Sequence, residues 1–298
     1  MSRRPEIILV VSIPGALQPD SIHSPGDWTG DFAIVIREHP RGRSIALKAA
    51  LAAGEVQIGT FLFELANPSI PRILANAGFD FVVIDMEHGC FTTESAARLI
   101  SAASASGISP LVRVPEITRT NVLRALDAGS CGIMAPMIRD RSDVERLYAL
   151  AKYPPEGQRG TCFGIAHTGY RLPDPATYLE EANDNVLLVG QIETPEALSQ
   201  ITSILTADLL DVAFIGPLDL SVSLGAPGDL GSPSFDAAVS DVLEACAKHD
   251  VAAGAFASNP LDAAQWIGRG CRMIACSGEL CLLSEKSREV VEEIRQAL

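Results

Sequence analysis

Four apolar runs in this chain end in side chains able to do chemistry. Phe81-Val-Val-Ile84 leads into Asp85-Met86-Glu87-His88-Gly89, two carboxylates and an imidazole in one short stretch. Asp85 and His88 suit a general acid–base pair in which the carboxylate fixes the tautomer of the ring. A capped turn with a solvated histidine is the plainer alternative. Leu111-Val112-Arg113-Val114-Pro115 places an arginine inside an apolar strand, which is costly unless the guanidinium meets an anion. Arg113 is therefore either a clamp for a carboxylate or an enolate oxygen, or half of a structural ion pair. In Gly190-Gln191-Ile192-Glu193, Gln191 and Glu193 fall on one face of a strand. Glu193 could hold a metal ion or cap the helix that follows. In Gly216-Pro217-Leu218-Asp219, Gly216 lets a ligand approach the backbone and Asp219 supplies another carboxylate. Glu193 and Asp219 on neighbouring strands would suffice for Mg²⁺ or Mn²⁺, which often take one or two carboxylates and complete their octahedron with water and substrate oxygens.

Schiff-base chemistry needs a lysine at such a position. Lys48, Lys152, Lys248 and Lys286 are the lysines of the chain, and all fall in helix-like segments or at their ends. Electron withdrawal from a keto acid would then come from a metal ion and Arg113.

These positions need a frame. Strand-like runs occur at Gln57–Phe63, Phe81–Asp85, Leu111–Val114, Gly132–Pro136, Val186–Ile192, Val212–Ile215, Ala252–Phe256 and Met273–Ala275. Helix-like stretches alternate with them at Thr93–Ser106, Arg119–Ala128, Asp140–Lys152, Pro195–Leu205, Phe235–His249, Leu261–Gly268 and Glu285–Ala297. Eight strand–helix units imply an α/β fold whose parallel sheet closes into a (β/α)8 TIM barrel, with its site at the C-terminal ends of the strands. No G-x-G-x-x-G follows the first strand, which argues against a Rossmann sheet. The long, Gly- and Pro-rich Tyr153–Arg171 segment reads as an active-site loop. Residues 1–44 show no barrel repeat and read as an N-terminal extension with strand-like runs at Ile7–Val11 and Phe32–Ile36; the barrel occupies 45–298.

A net charge of −14 disfavours nucleic acid and anionic membranes as partners. No apolar run has the length of a membrane span, and Ile7–Ile13 is short for a signal-peptide core. Seven cysteines, an odd number without a C-x-x-C pair, fit reduced thiols and a cytoplasmic location. Cys271, Cys276 and Cys281 match no zinc spacing.

In order and spacing the motifs resemble the HpcH/HpaI aldolase family, within the phosphoenolpyruvate/pyruvate-binding barrel superfamily, from Ser44 to Leu298. The resemblance rests on Ala46–Gly59 before the first strand, the Asp85–Gly89 and Leu111–Pro115 runs, Tyr153-Pro-Pro-Glu-Gly-Gln-Arg-Gly160, Gln191-Ile-Glu193-Thr and Gly216-Pro-Leu-Asp219-Leu-Ser. It implies a class II aldolase that reversibly cleaves a 4-hydroxy-2-oxoacid to pyruvate and an aldehyde through a metal-bound enolate. It further implies Glu193 and Asp219 as ligands of Mg²⁺, Mn²⁺ or Co²⁺, Arg113 on the keto oxygen, and His88, oriented by Asp85, as the acid–base group. Gln191 would support the pyruvate or the metal, and backbone amides around Gly216, Pro217 and Asp219 would hold the carboxylate. Relatives of this kind are typically homo-hexamers, trimers of dimers that swap the last helix. Oxaloacetate decarboxylation, or the enolate chemistry of macrophomate synthase-like relatives, is the alternative that the same residues would serve. A lyase acting on a coenzyme A thioester lacks support, because no basic patch suits the phosphates. One departure stands out. The run Thr161-Cys-Phe-Gly-Ile-Ala-His-Thr168 replaces the Gly and Arg-Ala pair common in the family, in a loop that lies near the aldehyde end of the site in relatives.

Overall fold

The computed structural model describes residues 43–298. The N-terminal extension, with its two strand-like runs, lies outside the described residues. Eight parallel strands close in chain order: β1 (Gln57–Leu62), β2 (Phe81–Asp85), β3 (Ser109–Arg113), β4 (Gly132–Ala135), β5 (Leu187–Ile192), β6 (Val212–Ile215), β7 (Ala252–Ala257) and β8 (Met273–Gly278), which pairs back to β1. The barrel is therefore the (β/α)8 architecture expected, and each of the eight barrel runs between Gln57 and Ala275 is a strand to within a few residues.

Helices α1 (Arg43–Ala52), α2 (Ser69–Ala77), α3 (Thr93–Ser106), α4 (Arg119–Asp127), α5 (Arg141–Ala151) and α6 (Pro175–Asn185) surround the first half. Helices α7 (Pro195–Ser199), α8 (Ile201–Leu205), α9 (Pro217–Ser223), α10 (Pro233–His249), α11 (Pro260–Gly268) and α12 (Glu279–Gln296) follow. The expected Pro195–Leu205 helix is thus two short ones that meet at Gln200. Helices α2, α6 and α9 are additions to the expected series. Pro71, Pro175 and Pro217 all sit in a first turn, where no N–H is needed and proline is tolerated.

Two apolar layers build the molecule. The outer layer packs strands against helices, and the inner one fills the barrel with Phe61, Phe81, Val83, Leu111, Met134, Leu187, Val189, Val212, Phe214, Met273 and Ala275. Leu47 and Leu51 of α1 join that inner set and close the floor of the barrel. The two-residue period of a strand then carries each inner row upward to a chemical residue at the rim. Phe81 and Val83 lead to Asp85, Leu111 to Arg113, Leu187 and Val189 to Gln191 and Glu193, and Val212 and Phe214 to Gly216.

Helix α12 departs from the pattern. Leu282 packs against the outer layer, but from Leu283 to Leu298 every residue is exposed, including Leu283, Val290, Val291 and Ile294. On the barrel wall, the outward-facing Ile58 of β1 is left 43% exposed. Among the described residues no helix is long and apolar enough to cross a membrane.

Candidate active site at the carboxyl-terminal rim

Asp85 and Arg113 are Cα partners on adjacent strands, so register alone brings them together. Arg113 Nε donates to Asp85 Oδ1 at 2.8 Å and Nη2 donates to Oδ2 at 2.5 Å. Asp85 is fully buried and Arg113 nearly so. Glu87 Oε2 lies 3.3 Å from Arg113 Nε, and the guanidinium sits 4.9 Å from the centre of the Phe61 ring. Burial alone would depress the Arg113 pKa, but the hydrogen bond and charge of Asp85, with Glu87 and Glu193, hold it above its ordinary value. An arginine has five N–H donors. The pair with Asp85 leaves both protons of Nη1 and one of Nη2 for another oxygen.

The expected Asp85–His88 pairing is corrected here. Asp85 Oδ1 accepts the backbone N–H of Glu87 at 3.0 Å and of His88 at 3.4 Å, and both carboxylate oxygens are spent on Arg113. The His88 ring turns outward, with its side chain 64% exposed, and its carboxylate neighbour is Glu87, with Nε2 3.9 Å from Oε2. Asp85 thus shapes the turn that carries His88 without touching the ring. Glu87, passed over in the sequence, faces both the histidine and the arginine; its spacing of two from Asp85 was the available signal. Its carboxyl is raised by burial, against the lowering pull of Arg113 and His88.

Across the rim, Glu193 is held on both oxygens. Oε1 accepts the Met137 N–H at 2.8 Å and Oε2 accepts Gln191 Nε2 at 3.1 Å. Gln191 and Glu193 do share a face. Met137 donates from a left-handed backbone (φ 52°) in the loop after β4, a contact that no side-chain motif announces. A Cβ at Gly216 would stand 2.4 Å from Glu193 Oε2. The glycine therefore makes room for the carboxylate itself. Burial pushes Glu193 up to about 7, with the charges of Asp219 and Glu87 adding to the rise and the Met137 N–H opposing it. Asp219 is exposed in the first turn of α9, directly after Gly216 and Pro217. The N–H groups of Leu218 and Asp219 belong to that same turn, where no preceding helical carbonyl accepts them.

The lysines stay away from this rim. Lys48 of α1 donates to the Val186 carbonyl and pairs with Asp211 at the floor. Lys152 follows α5 and donates to the Asn183 carbonyl. Lys248 ends α10, and Lys286 pairs with Glu289 on the exposed α12. The Tyr153–Arg171 segment also differs from expectation. It follows α5, which runs from the rim back to the floor, and precedes β5. Arg159 pairs there with Asp127 at the end of α4, while His167 lies within hydrogen-bonding distance of the Tyr178 hydroxyl and the Cys162 carbonyl. Within one chain this loop occupies the opposite end of the barrel from Glu193.

A family model described as HpcH/HpaI aldolase/citrate lyase matches residues 57–285. The chain belongs to the HpcH/HpaI aldolase/citrate lyase family. Among relatives of this family, the hydroxypyruvate/pyruvate aldolase of Cupriavidus necator is 31% identical over 249 residues, covering 84% of this chain and 92% of that protein. The 5-keto-4-deoxy-D-glucarate aldolase of Shigella dysenteriae is 28% identical and covers 84% and 96%. The crystal structure of an HpcH/HpaI aldolase from Desulfitobacterium hafniense superposes with a TM-score of 0.80 at 34% identity, covering 84% and 96%. The chain is accordingly an aldolase, a carbon–carbon lyase on a TIM barrel.

Proposed function

We infer that this member of the HpcH/HpaI family is a divalent-metal-dependent pyruvate aldolase that reversibly cleaves a 4-hydroxy-2-oxoacid into pyruvate and an aldehyde. One observation carries the reading: at the rim a guanidinium with donors to spare is locked beside three mutually repelling carboxylates, Glu87, Glu193 and Asp219, and the lysines lie elsewhere. The relatives named above are, by their names, aldolases of hydroxypyruvate or pyruvate and of 5-keto-4-deoxy-D-glucarate.

The residues present fit a hard cation. Glu193 is a buried carboxylate that burial and like charge push toward protonation, so a cation beside it and Asp219 would restore its charge. Gln191 Oε1 is buried without a hydrogen-bond partner, an oxygen turned away from its donor contact to Glu193. The donors are all oxygen, the set that magnesium, manganese or cobalt(II) accepts. Among the described residues no group of three or more His, Cys, Asp or Glu gathers around one point, so Glu193 and Asp219 would be the protein's share. When bound, such an ion supplies Lewis-acid polarisation of the keto and carboxylate oxygens of the oxoacid.

The side chains do the rest. The free N–H groups of Arg113 meet the 2-oxo oxygen as the C3–C4 bond breaks and its electron pair passes into the enolate. Asp85 keeps that guanidinium in place. Leu218 and Asp219 offer backbone N–H groups to the substrate carboxylate beside Gly216 and Pro217. His88 removes the proton of the 4-hydroxyl during cleavage, and that proton given to C3 of the enolate completes pyruvate; in synthesis both transfers reverse, with Glu87 as the counter-charge of the ring. Phe61 covers the guanidinium, and Phe63 stacks on Phe61.

The exposed apolar stripe of α12 fits docking on a second copy, as in a hexamer assembled from dimers. Leu283, Val290 and Ile294 recur at seven and four residues and share one helix face. The test of the activity is a metal-supplemented incubation of pyruvate with a panel of aldehydes, reading adducts and, in deuterated water, loss of the pyruvate methyl protons. Adducts and exchange that vanish on chelation are expected. Exchange that survives chelation would overturn the metal dependence. Oxaloacetate turnover with no aldehyde-dependent reaction would make the enzyme a decarboxylase instead.

A further inference from the structure

Glu279 opens α12 and is only 5% exposed. Its carboxylate partners are backbone amides. Oε1 accepts the N–H groups of Phe63 at 2.8 Å, Glu64 at 2.7 Å and Leu65 at 3.1 Å, and Oε2 accepts Phe63 again at 2.9 Å. Hydrogen bonds from N–H to an ionised acceptor are about twice as strong as neutral ones, and three consecutive amides turned to one carboxylate fix the backbone between them. The backbone fixed here is the rim loop after β1.

Two routes lead from that loop to the reacting groups. One runs through rings: Phe63 stacks on Phe61 with centroids 5.5 Å apart and planes 11° from parallel, and Phe61 lies against the Arg113 guanidinium. Gly278, next to Glu279, leaves space for this stack, because a Cβ there would stand 2.5 Å from the Phe63 ring. The other route runs through the backbone. The Phe63 carbonyl accepts the Cys90 N–H at 3.0 Å, and a Cβ on Gly89 would stand 2.6 Å from that carbonyl oxygen. Gly89 and Cys90 close the turn that carries Glu87 and His88.

We propose that Glu279 is a positioning residue that ties the β1 rim loop to the start of α12 and through that loop sets both Arg113 and the Glu87–His88 turn. The site's geometry then depends on how α12 is seated. Because α12 is exposed on its own barrel from Leu283 onward, docking of that helix on another copy reaches the site through its packed first turn, where Glu279 sits. The proposal rests on the site assignment given under the proposed function.

Glu279→Gln keeps one oxygen for the three N–H groups but removes the charge and sets an N–H₂ against the Phe63 N–H that Oε2 accepts, so the amides are held less tightly. Its kcat for methyl-proton exchange of pyruvate should fall about 10- to 100-fold, the scale of an ångström-level misplacement, with KM altered less than about threefold. Glu279→Asp keeps the charge and should recover part of the loss. Phe63→Leu should lower kcat too, and because both changes act on one segment the double variant should be no worse than the poorer single one. A plain loop cap would instead lower stability and leave kcat unchanged. Unchanged kcat in Glu279→Gln, or losses that simply multiply in the double variant, would overturn the proposal. If Glu279→Gln does not fold, Phe63→Leu decides, and wild-type turnover there overturns it. Amide deuterium exchange gives a readout free of the chemistry. Peptides covering residues 61–66 and 86–91 should both exchange faster in Glu279→Asp, and unchanged protection in the second refutes the coupling. An inactive wild type would refute only the proposed function.

Discussion

Replacing Arg113 separates two duties that one side chain performs. Its Nε and Nη2 hold Asp85, which has no exposed surface. Its remaining N–H groups are, in the proposed function, the donors to the 2-oxo oxygen. Arg113→Ala leaves the buried Asp85 carboxyl without its ion-pair partner, and breaking a buried pair in this way costs about 3–5 kcal/mol of stability. Losing a donor aimed at a developing oxyanion costs about 10²–10³ in kcat, or roughly 2.7–4 kcal/mol. Arg113→Lys tells the two apart. An ammonium beside Asp85 restores most of the charge balance, but a single point charge cannot bridge two carboxylate oxygens and reach a third oxygen as a planar fork does. The lysine variant should therefore recover more than half of the stability lost in the alanine variant, read from urea midpoints. It should still lose about 100-fold in kcat for methyl-proton exchange of pyruvate. That half-reaction suits the purpose because it needs no aldehyde. Manganese affinity, read by electron paramagnetic resonance, should change far less than the rate. Wild-type exchange in Arg113→Lys would reduce Arg113 to a strut for Asp85. A fully stable Arg113→Ala would show that the buried pair does not form.

Asp219→Ala should abolish manganese binding together with turnover; normal binding in that variant would remove Asp219 from the ligand set. Glu193 carries a pH signature in the metal-free protein, since burial raises it from 4.5 to about 7. A carboxyl raised by folding binds its proton more tightly in the native state, so stability is greatest below its unfolded value and falls as pH climbs through the raised one. Relative to Glu193→Gln, the wild type should lose about 3 kcal/mol between pH 4.5 and 7, and parallel urea curves for the two across that window would refute the assignment. Borohydride added during turnover should trap no covalent pyruvate adduct, because the lysines lie away from the rim; a mass increase on any lysine would contradict the metal route. Leu283→Asp combined with Ile294→Asp should shrink the assembly seen by light scattering while leaving the circular dichroism of the barrel intact, and an unchanged mass would free α12 from that role.

Much of this site was legible because a barrel repeats one rule. Apolar residues at alternate positions fill the interior, so a polar residue at the upper end of such a row, Asp85, Arg113, Gln191 or Glu193, has to face the mouth. What the residues of one strand could not give was the partner on the next. His88 stands three residues from Asp85 and looks like its mate, yet Arg113, separated by twenty-eight residues, is its Cα neighbour through strand register, and a fixed guanidinium outcompetes a ring that can turn to water. Backbone donors were equally silent. Met137 and Phe63–Leu65 act through amides that every residue possesses, so nothing in their side chains announced the contacts to Glu193 and Glu279. The misplaced loop is a different case, since the sequence could have corrected it. A helix that leaves the rim after β4 must come down to the floor before β5 can begin, and the expected Asp140–Lys152 helix is α5. Parity alone then puts Tyr153–Arg171 below the barrel. An influence of the unusual Thr161–Thr168 run on the second substrate would have to be exerted on the rim of another subunit.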